Sequence, residues 1–148
     1  MDLHIHDCDF ILHTLGRPAA IRSRGVVVKS GGIDDMHAEF IYPDGPVVLA
    51  ESSWARACWS CSMVAVFEEG TIDVSNGVKL YQMDKPVKEI KLPGKGNPYF
   101  LEIAYFAKCV KTGTRPEIAS IESTRDTIAV LELEVKSAFA NGKEIKLK

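Results

Sequence analysis

A change of hydrophobic period near residue 97 constrains this chain more than any other feature. From 19 to 92 the apolar residues come in short runs, cut by Gly31-Gly32, Pro43-Asp44-Gly45, Glu68-Glu69-Gly70 and Asn76-Gly77. Strands of that length joined by tight turns pair with their neighbours antiparallel. The spacing predicts strands over 19–29, 37–42, 46–58, 60–67, 71–75 and 78–82, and one more over 87–92 bounded by Pro86 and Pro93. Asn-Gly between two such runs is a strong hairpin signal, because both residues accept a positive φ. Downstream, Tyr99, Ile103, Phe106, Ala107 and Val110 recur at helical spacing, with Pro98 in the first turn and Gly113 at the end. A second helix follows, capped by Ser120 or by Ser123 with Asp126 three residues on. Its apolar stripe is Ile128, Leu131, Val135, Ala138 and Phe139, and Asn141-Gly142 ends it before the tail Glu144-Ile145-Lys146-Leu147.

A third helix opens the sequence. The run from Phe10 to Leu15 is apolar and stopped by Gly16 and Pro18. Ahead of it, Asp2-Leu3-His4-Ile5-His6-Asp7-Cys8-Asp9 crowds five acidic and imidazole side chains and a thiol into eight residues. Asp2 and His6 stand four apart and share one face of a helix, as do Ile5 and Asp9. A carboxylate one turn from an imidazole can orient it as a general acid/base near neutral pH.

At 148 residues the chain is expected to be a single domain over 1–148, since no linker, repeat or low-complexity tract interrupts it. Helix, many strands, then two helices make an α+β unit with a largely antiparallel sheet. A net charge of −2, from 18 basic and 20 acidic residues without long runs, offers no footprint for nucleic acid or an anionic membrane. With no apolar run of membrane-spanning length and no leader pattern, the expected compartment is the cytoplasm.

Four cysteines stand at Cys8, Cys58, Cys61 and Cys109. Cys58-Trp59-Ser60-Cys61 has the spacing of a zinc half-site or a redox pair. It falls in strand-like sequence, where positions three apart face opposite ways, so the expectation is two buried free thiols and no metal. In residues 61–67 both alternating sets are apolar or small, so both faces of that strand demand cover. Three helices on one face would leave the other bare, with Trp54, Trp59 and Met63 on it. A second copy of the sheet is the simplest cover, and long loops are the alternative.

Taken in order, the Asp-x-x-x-His-Asp-x-Asp segment at 2–9, the Phe67-Glu68-Glu69-Gly70-Thr71-Ile72 turn, and the Asn97-Pro98-Tyr99, Glu102, Phe106 helix followed by one with Ser137-Ala138 resemble a known pattern. The chain resembles, nearly end to end, the C-terminal domain of the glucose-fructose oxidoreductase/inositol dehydrogenase (Gfo/Idh/MocA) family. The resemblance implies an open, mostly antiparallel mixed sheet, like the C-terminal domain of dihydrodipicolinate reductase, with helices on one face and a subunit contact on the other. It implies NAD(P)-dependent oxidation of a sugar, cyclitol or related polyol, with Asp2 and His6 as the catalytic pair. His6 would take the substrate hydroxyl proton as hydride leaves for the nicotinamide, and Asp2 would hold and polarise it. His4 stands where many members carry Gly.

No Gly-x-Gly-x-x-Gly follows a strand, and no Glu-Lys-Pro segment supplies the family's lysine; Gly94-Lys95-Gly96 reads as a loop. The nucleotide-binding domain is therefore expected to be absent, and the chain to bind neither NAD nor NADP and to be inactive alone, as a fragment or a split version of the enzyme. Its partners would be a second copy, the missing domain in cis or trans, and a small polyol. Arg22, Arg24, Trp54 and Arg56 are polar candidates for the substrate pocket, although arginine on a strand also suits a solvated face. Two alternatives remain at this point. One is a free-standing, non-catalytic module for oligomerisation or sugar binding. The other is a metal-dependent hydrolase opening with His4-Ile5-His6 on a strand, which would need more His and Asp ligands than His13 and His37 provide.

Overall fold

In the computed structural model, which describes residues 3–92 and 97–147, the chain runs as α1 (His4–Leu15), β1 (Ala20–Val26), β2 (Asp35–Ile41), β3 (Val47–Ser53), β4 (Val64–Phe67), β5 (Gly70–Asp73), β6 (Lys79–Tyr81), β7 (Lys88–Glu89), α2 (Pro98–Thr112), α3 (Ile121–Phe139) and β8 (Ile145–Lys146). The expected α+β class is the one observed. These elements form two compact units, Met1–Arg56 with Pro116–Lys148, and Ala57–Arg115. Each holds a four-stranded sheet, in the orders β3-β2-β1-β8 and β4-β5-β6-β7, where one open sheet was expected. Every strand pair among the described residues is antiparallel.

The first unit is a helix-on-sheet layer. Its register sets Ile21 opposite Phe40 and Phe40 opposite Val48, with Ala38 opposite Ser23 and Ala50 in the next row. Because strand side chains alternate, these rows face one way, and Arg22-Glu39-Leu49 and Arg24-His37-Glu51 face the other. α1 and α3 cover the first face. Cys8, Ile11, Ile21, Ala38, Phe40, Val130 and Leu131 form the buried cluster, flanked by Ile5, Leu12, Val48 and Ala50. β8 pairs with the outer edge of β1, Ile145 opposite Ile21, and closes the sheet on that side.

Local chemistry sets the helix ends. Asn97 accepts a hydrogen bond from the Tyr99 N–H and Pro98 sits in the first turn of α2, while Gly113 ends it at φ +66°, a left-handed conformation that costs glycine little. Of the two candidate caps for α3, Ser120 is the one used, its hydroxyl accepting from the Ser123 N–H at 3.1 Å. α1 ends at Leu15, and the Gly16 N–H returns to the Leu12 carbonyl.

The second unit is a β-meander with α2. The hairpin read at Asn76-Gly77 exists, but five residues, 74–78, join β5 to β6. Asp73 takes over the turn by accepting from both the N–H and the hydroxyl of Ser75, as a short acceptor side chain does in an Asx turn. At Gly70 a Cβ would lie 2.5 Å from the Tyr81 carbonyl oxygen, so only glycine fits there between the strands. Gly94-Lys95-Gly96, read as a loop, lies outside the described residues.

Two expectations are corrected. The strands read over 46–58 and 60–67 are shorter, and 54–63 carries neither helix nor strand. The ladder gives out at the start of β2: Ser53 pairs with Asp35, the Trp54 N–H still reaches the Asp34 carbonyl at 2.7 Å, and the chain before Asp35 is the irregular stretch 27–34. Cys58 and Cys61, expected to be buried, are exposed free thiols in this irregular stretch, and the buried thiols are Cys8 and Cys109.

The inner row makes a direct test. Phe40 is 1% exposed at the centre of the sheet, so Phe40→Ala is expected to cost about 3–5 kcal/mol in urea-induced unfolding. Val47, 85% exposed on the outer row, should change stability by less than about 0.5 kcal/mol when replaced by alanine.

Candidate functional site

α1 carries the residues singled out in the sequence. Asp2 lies outside the described residues. His6 is on α1 and is exposed. Its neighbour two residues back behaves in the opposite way: His4 is buried, 2% exposed, where α1 meets α3. There the His4 Nε2 stands 3.0 Å from Oε2 of Glu134, and its Nδ1 stands 3.6 Å from Oδ2 of Asp7, one turn along α1. Glu134 is fully buried on α3. The imidazole and the Glu134 carboxylate lie at ion-pair distance without hydrogen-bond alignment, so charge, more than direction, joins them.

Burial by itself would strip the proton from such an imidazole. The Asp7 and Glu134 carboxylates more than reverse that, and the His4 pKa is raised from 6.5 to about 9. The same junction acts on Cys8, whose thiol is pushed far up by burial and by the nearby carboxylates of Glu134, Asp9 and Asp7. Cys8 is therefore a packing residue and not a nucleophile. Below it, the Thr127 hydroxyl donates to Asp9 Oδ1 at 3.0 Å and ties the next turn of α1 to α3.

The apolar stripe that the sequence predicts for α3, Ile128, Leu131, Val135, Ala138 and Phe139, leaves out Glu134. The buried residues are instead Thr127, Val130, Leu131, Glu134 and Ser137. The face is rotated by about one residue, and its polar members all have work. Ser137 accepts from the Ser23 N–H and donates to the Lys143 carbonyl, and the Ser23 hydroxyl donates to the carbonyl of Glu134. A Thr, Glu, Ser series at helical spacing, interleaved with Val130 and Leu131, was the available signal.

The pocket candidates separate. Trp54 lines a cleft of about 590 Å³ with Ser30, Asp34, Met36, Val135 and Phe139. Asp34 lines that cleft: the Ser30 hydroxyl beside it, and the N–H groups of Lys29, Ser30 and Val28 that donate to its Oδ2, hold its carboxyl well below the usual range. Arg22 and Arg24 point to the outer face of the sheet. Arg22 binds Glu39 at 3.2 Å and Glu144 at 3.0 Å, and Arg24 donates to the Asn141 carbonyl. Arg56 pairs with Glu51. Arg22 and Arg24 also line a shallow depression of about 460 Å³ on that face, together with His37, Glu39 and Glu51. No group of three or more His, Cys, Asp or Glu side chains that could hold a metal occurs among the described residues, and no described helix is long and apolar enough to cross a membrane.

Two outcomes are expected. The folded chain holds the His4 proton more tightly than the unfolded chain, so this stabilisation is complete below about pH 6.5 and is lost as pH rises through about 9. Urea midpoints should fall across that window, and His4→Ala should remove the dependence while costing about 3–5 kcal/mol, because it strands the buried Glu134 charge. Titration of the native chain with a thiol reagent should find two fast groups, Cys58 and Cys61, with Cys8 and Cys109 reacting only on unfolding.

No family model matches the sequence, and no curated protein is similar enough to it to count as a relative. Solved structures do match. The chain superposes on UDP-N-acetylglucosamine 3-dehydrogenase from Acidithiobacillus ferrooxidans with a TM-score of 0.83 at 22% identity, over 95% of this chain and 47% of that one. An oxidoreductase from Agrobacterium radiobacter, solved with NAD+, L-tartaric acid and magnesium, matches with a TM-score of 0.73 at 20% identity, over 98% of this chain and 48% of that one. For the aldose-aldose oxidoreductase from Caulobacter crescentus complexed with glycerol the values are 0.74 and 18%, over 97% and 45%. The chain spans about half the length of each. Each of the three is a dehydrogenase or an oxidoreductase by name, and the likeness is one of fold, shared by this chain with about half of each protein.

Proposed function

We propose that this chain is the substrate-side and subunit-contact half of an NAD(P)-dependent oxidoreductase acting on a sugar, cyclitol or related polyol. The observation that carries the reading is the agreement between a fold shared with half of several oxidoreductases and an α1 that buries His4 while leaving His6 exposed. In this reading His6 removes the proton from the substrate hydroxyl, and Asp2, four residues earlier in the sequence, supports the imidazole as it becomes charged. The exposed face of α1 is where a substrate hydroxyl can reach it.

In this reading the dinucleotide is held on another half. The described residues contain no parallel strand pair and no glycine turn leading from a strand into a helix N-terminus, which is what cradles a pyrophosphate. A nicotinamide held on another half would accept the hydride. This chain's residues would handle the proton and the substrate's orientation.

The test is reconstitution. Joined to a nucleotide-binding half upstream, the chain should oxidise alcohols with NAD or NADP, and His6→Ala should lower turnover by about 10²–10⁴-fold. Asp2→Asn should lower it too, by weakening the support of the imidazolium. Unimpaired turnover in both variants would overturn the assignment.

The same reading gives the chain a second copy of itself as partner. On β4 Val64 is 61% and Val66 77% exposed, and Phe67, on the alternate set, is 61% exposed, so apolar side chains on both sides of this strand face water in the single chain. Light scattering is expected to give a dimer or larger species well above 16.3 kDa. Val64→Lys should dissociate it without unfolding, since an ammonium tolerated in water is strongly disfavoured once covered.

A further inference from the structure

The first residue of α1 is an unusual place for a buried histidine. The helix N-terminus disfavours positive charge, and burial disfavours it further. Yet His4 is turned inward there and paired with Glu134, a carboxylate with no exposed surface. An apolar pair of similar size would fill the same space without the desolvation cost. What an ion pair adds is a single acceptable orientation, because each charge has one place where it is compensated.

The groups facing His4 are few. Asp7 lies on its own helix and Glu134 on α3. β3, which also touches α1, turns Val48 and Ala50 to the core, and the other titratable groups near the junction are Cys8, Asp9, which is bonded to Thr127, and Tyr42, which packs on the same cluster. Successive residues of an α-helix are about 100° apart, so residues two apart point in nearly opposite directions. With His4 pulled toward α3, residue 6 is turned outward, and the His6 imidazole is indeed exposed.

We propose that His4 is a positioning residue: its clamp to Glu134 fixes the rotation of α1 and thereby holds His6 pointed out of the fold, where it can meet a substrate hydroxyl. The role assigned to His6 rests on the function proposed above; the clamp itself does not. Loss of the His4 proton leaves the Glu134 carboxylate buried without a counter-charge, which loosens the first turns of α1. The site should therefore lose alignment on the alkaline side, through about pH 9.

Two measurements test this. In the 148-residue chain at neutral pH, Glu134→Gln should speed hydrogen exchange at the amides of Cys8, Asp9 and Phe10 by about tenfold or more, with the strands of the first unit unchanged. An unchanged rate at those amides would overturn the clamp. In the chain joined to a nucleotide-binding half, the pair His4→Leu with Glu134→Leu should recover the unfolding midpoint. It should still lower kcat by about 10–10²-fold with KM little changed, since misplacement of a reacting group costs that much. The alkaline limb of the wild-type kcat profile near pH 9 should also disappear in this pair. Recovery of kcat together with stability would reduce His4 to a packing residue and overturn the proposal. If the joined wild-type protein oxidises no alcohol, the function proposed for His6 fails, and the exchange rates alone decide whether the clamp exists.

Discussion

The burial of the Glu134 carboxylate governs how the first unit is put together. A carboxylate with no contact with water must have a counter-charge at hand, and His4 is the imidazole that reaches it. That requirement ties the beginning of α1 to the middle of α3. The Thr127 hydroxyl repeats the tie two turns away through Asp9, and the Cys8 thiol lies over the Thr127 carbonyl. With α1 and α3 joined side by side, their apolar residues close over Ile21, Ala38 and Phe40. Ser23 and Ser137 then stitch α3 to β1 from below. The polar seam determines where the helices lie, and the apolar cluster supplies most of the energy that keeps them there.

The two faces of that sheet have different tasks. The inner rows are sealed by helices, while the outer rows set basic side chains beside carboxylates: Arg22 between Glu39 and Glu144, and the His37 ring near Asp35 and Glu51. Pairs as exposed as these contribute little to stability. They make polar a face that also carries the exposed side chains of Val26, Val47 and Leu49. In the second unit β4 has no such protection, and its valines and Phe67 face water.

Much of the fold was legible because its punctuation is local. Asn97, Pro98 and Gly113 bound α2 through their own backbone chemistry, and Pro43-Asp44-Gly45 separates β2 from β3 whatever the rest of the chain does. What depends on distant partners was not legible. The stretch 54–63 has strand-like residues in Trp54, Trp59 and Met63, yet the ladder gives out once the Trp54 N–H has bonded to the Asp34 carbonyl, because the neighbouring chain before Asp35 is irregular. The thiols of Cys58 and Cys61 followed that error to the surface. On α3, hydrophobicity alone pointed to the Ile128, Val135 and Phe139 side; the side buried was decided by His4, Ser23 and Asp9, more than a hundred residues away in sequence. At the candidate site, the helix and the exposure of His6 matched the sequence pattern, whereas the ion pair behind them depends on Glu134 and could not be read from α1.

That sequence separation has a consequence for synthesis. Cys8 and Thr127, which meet in the core, are 119 residues apart. At a ribosomal rate of about 5–20 residues per second, roughly 6–24 seconds pass between the appearance of the two. Throughout that interval β1, β2 and β3 can form their meander, but its inner face, with Ile21 and Phe40 on it, has only α1 as cover. The second unit, Ala57–Arg115, is made in the meantime from contiguous sequence and has no need to wait. The nascent chain thus completes its middle first and its ends last, and for those seconds the half-roofed sheet is the surface on which a chaperone would find purchase.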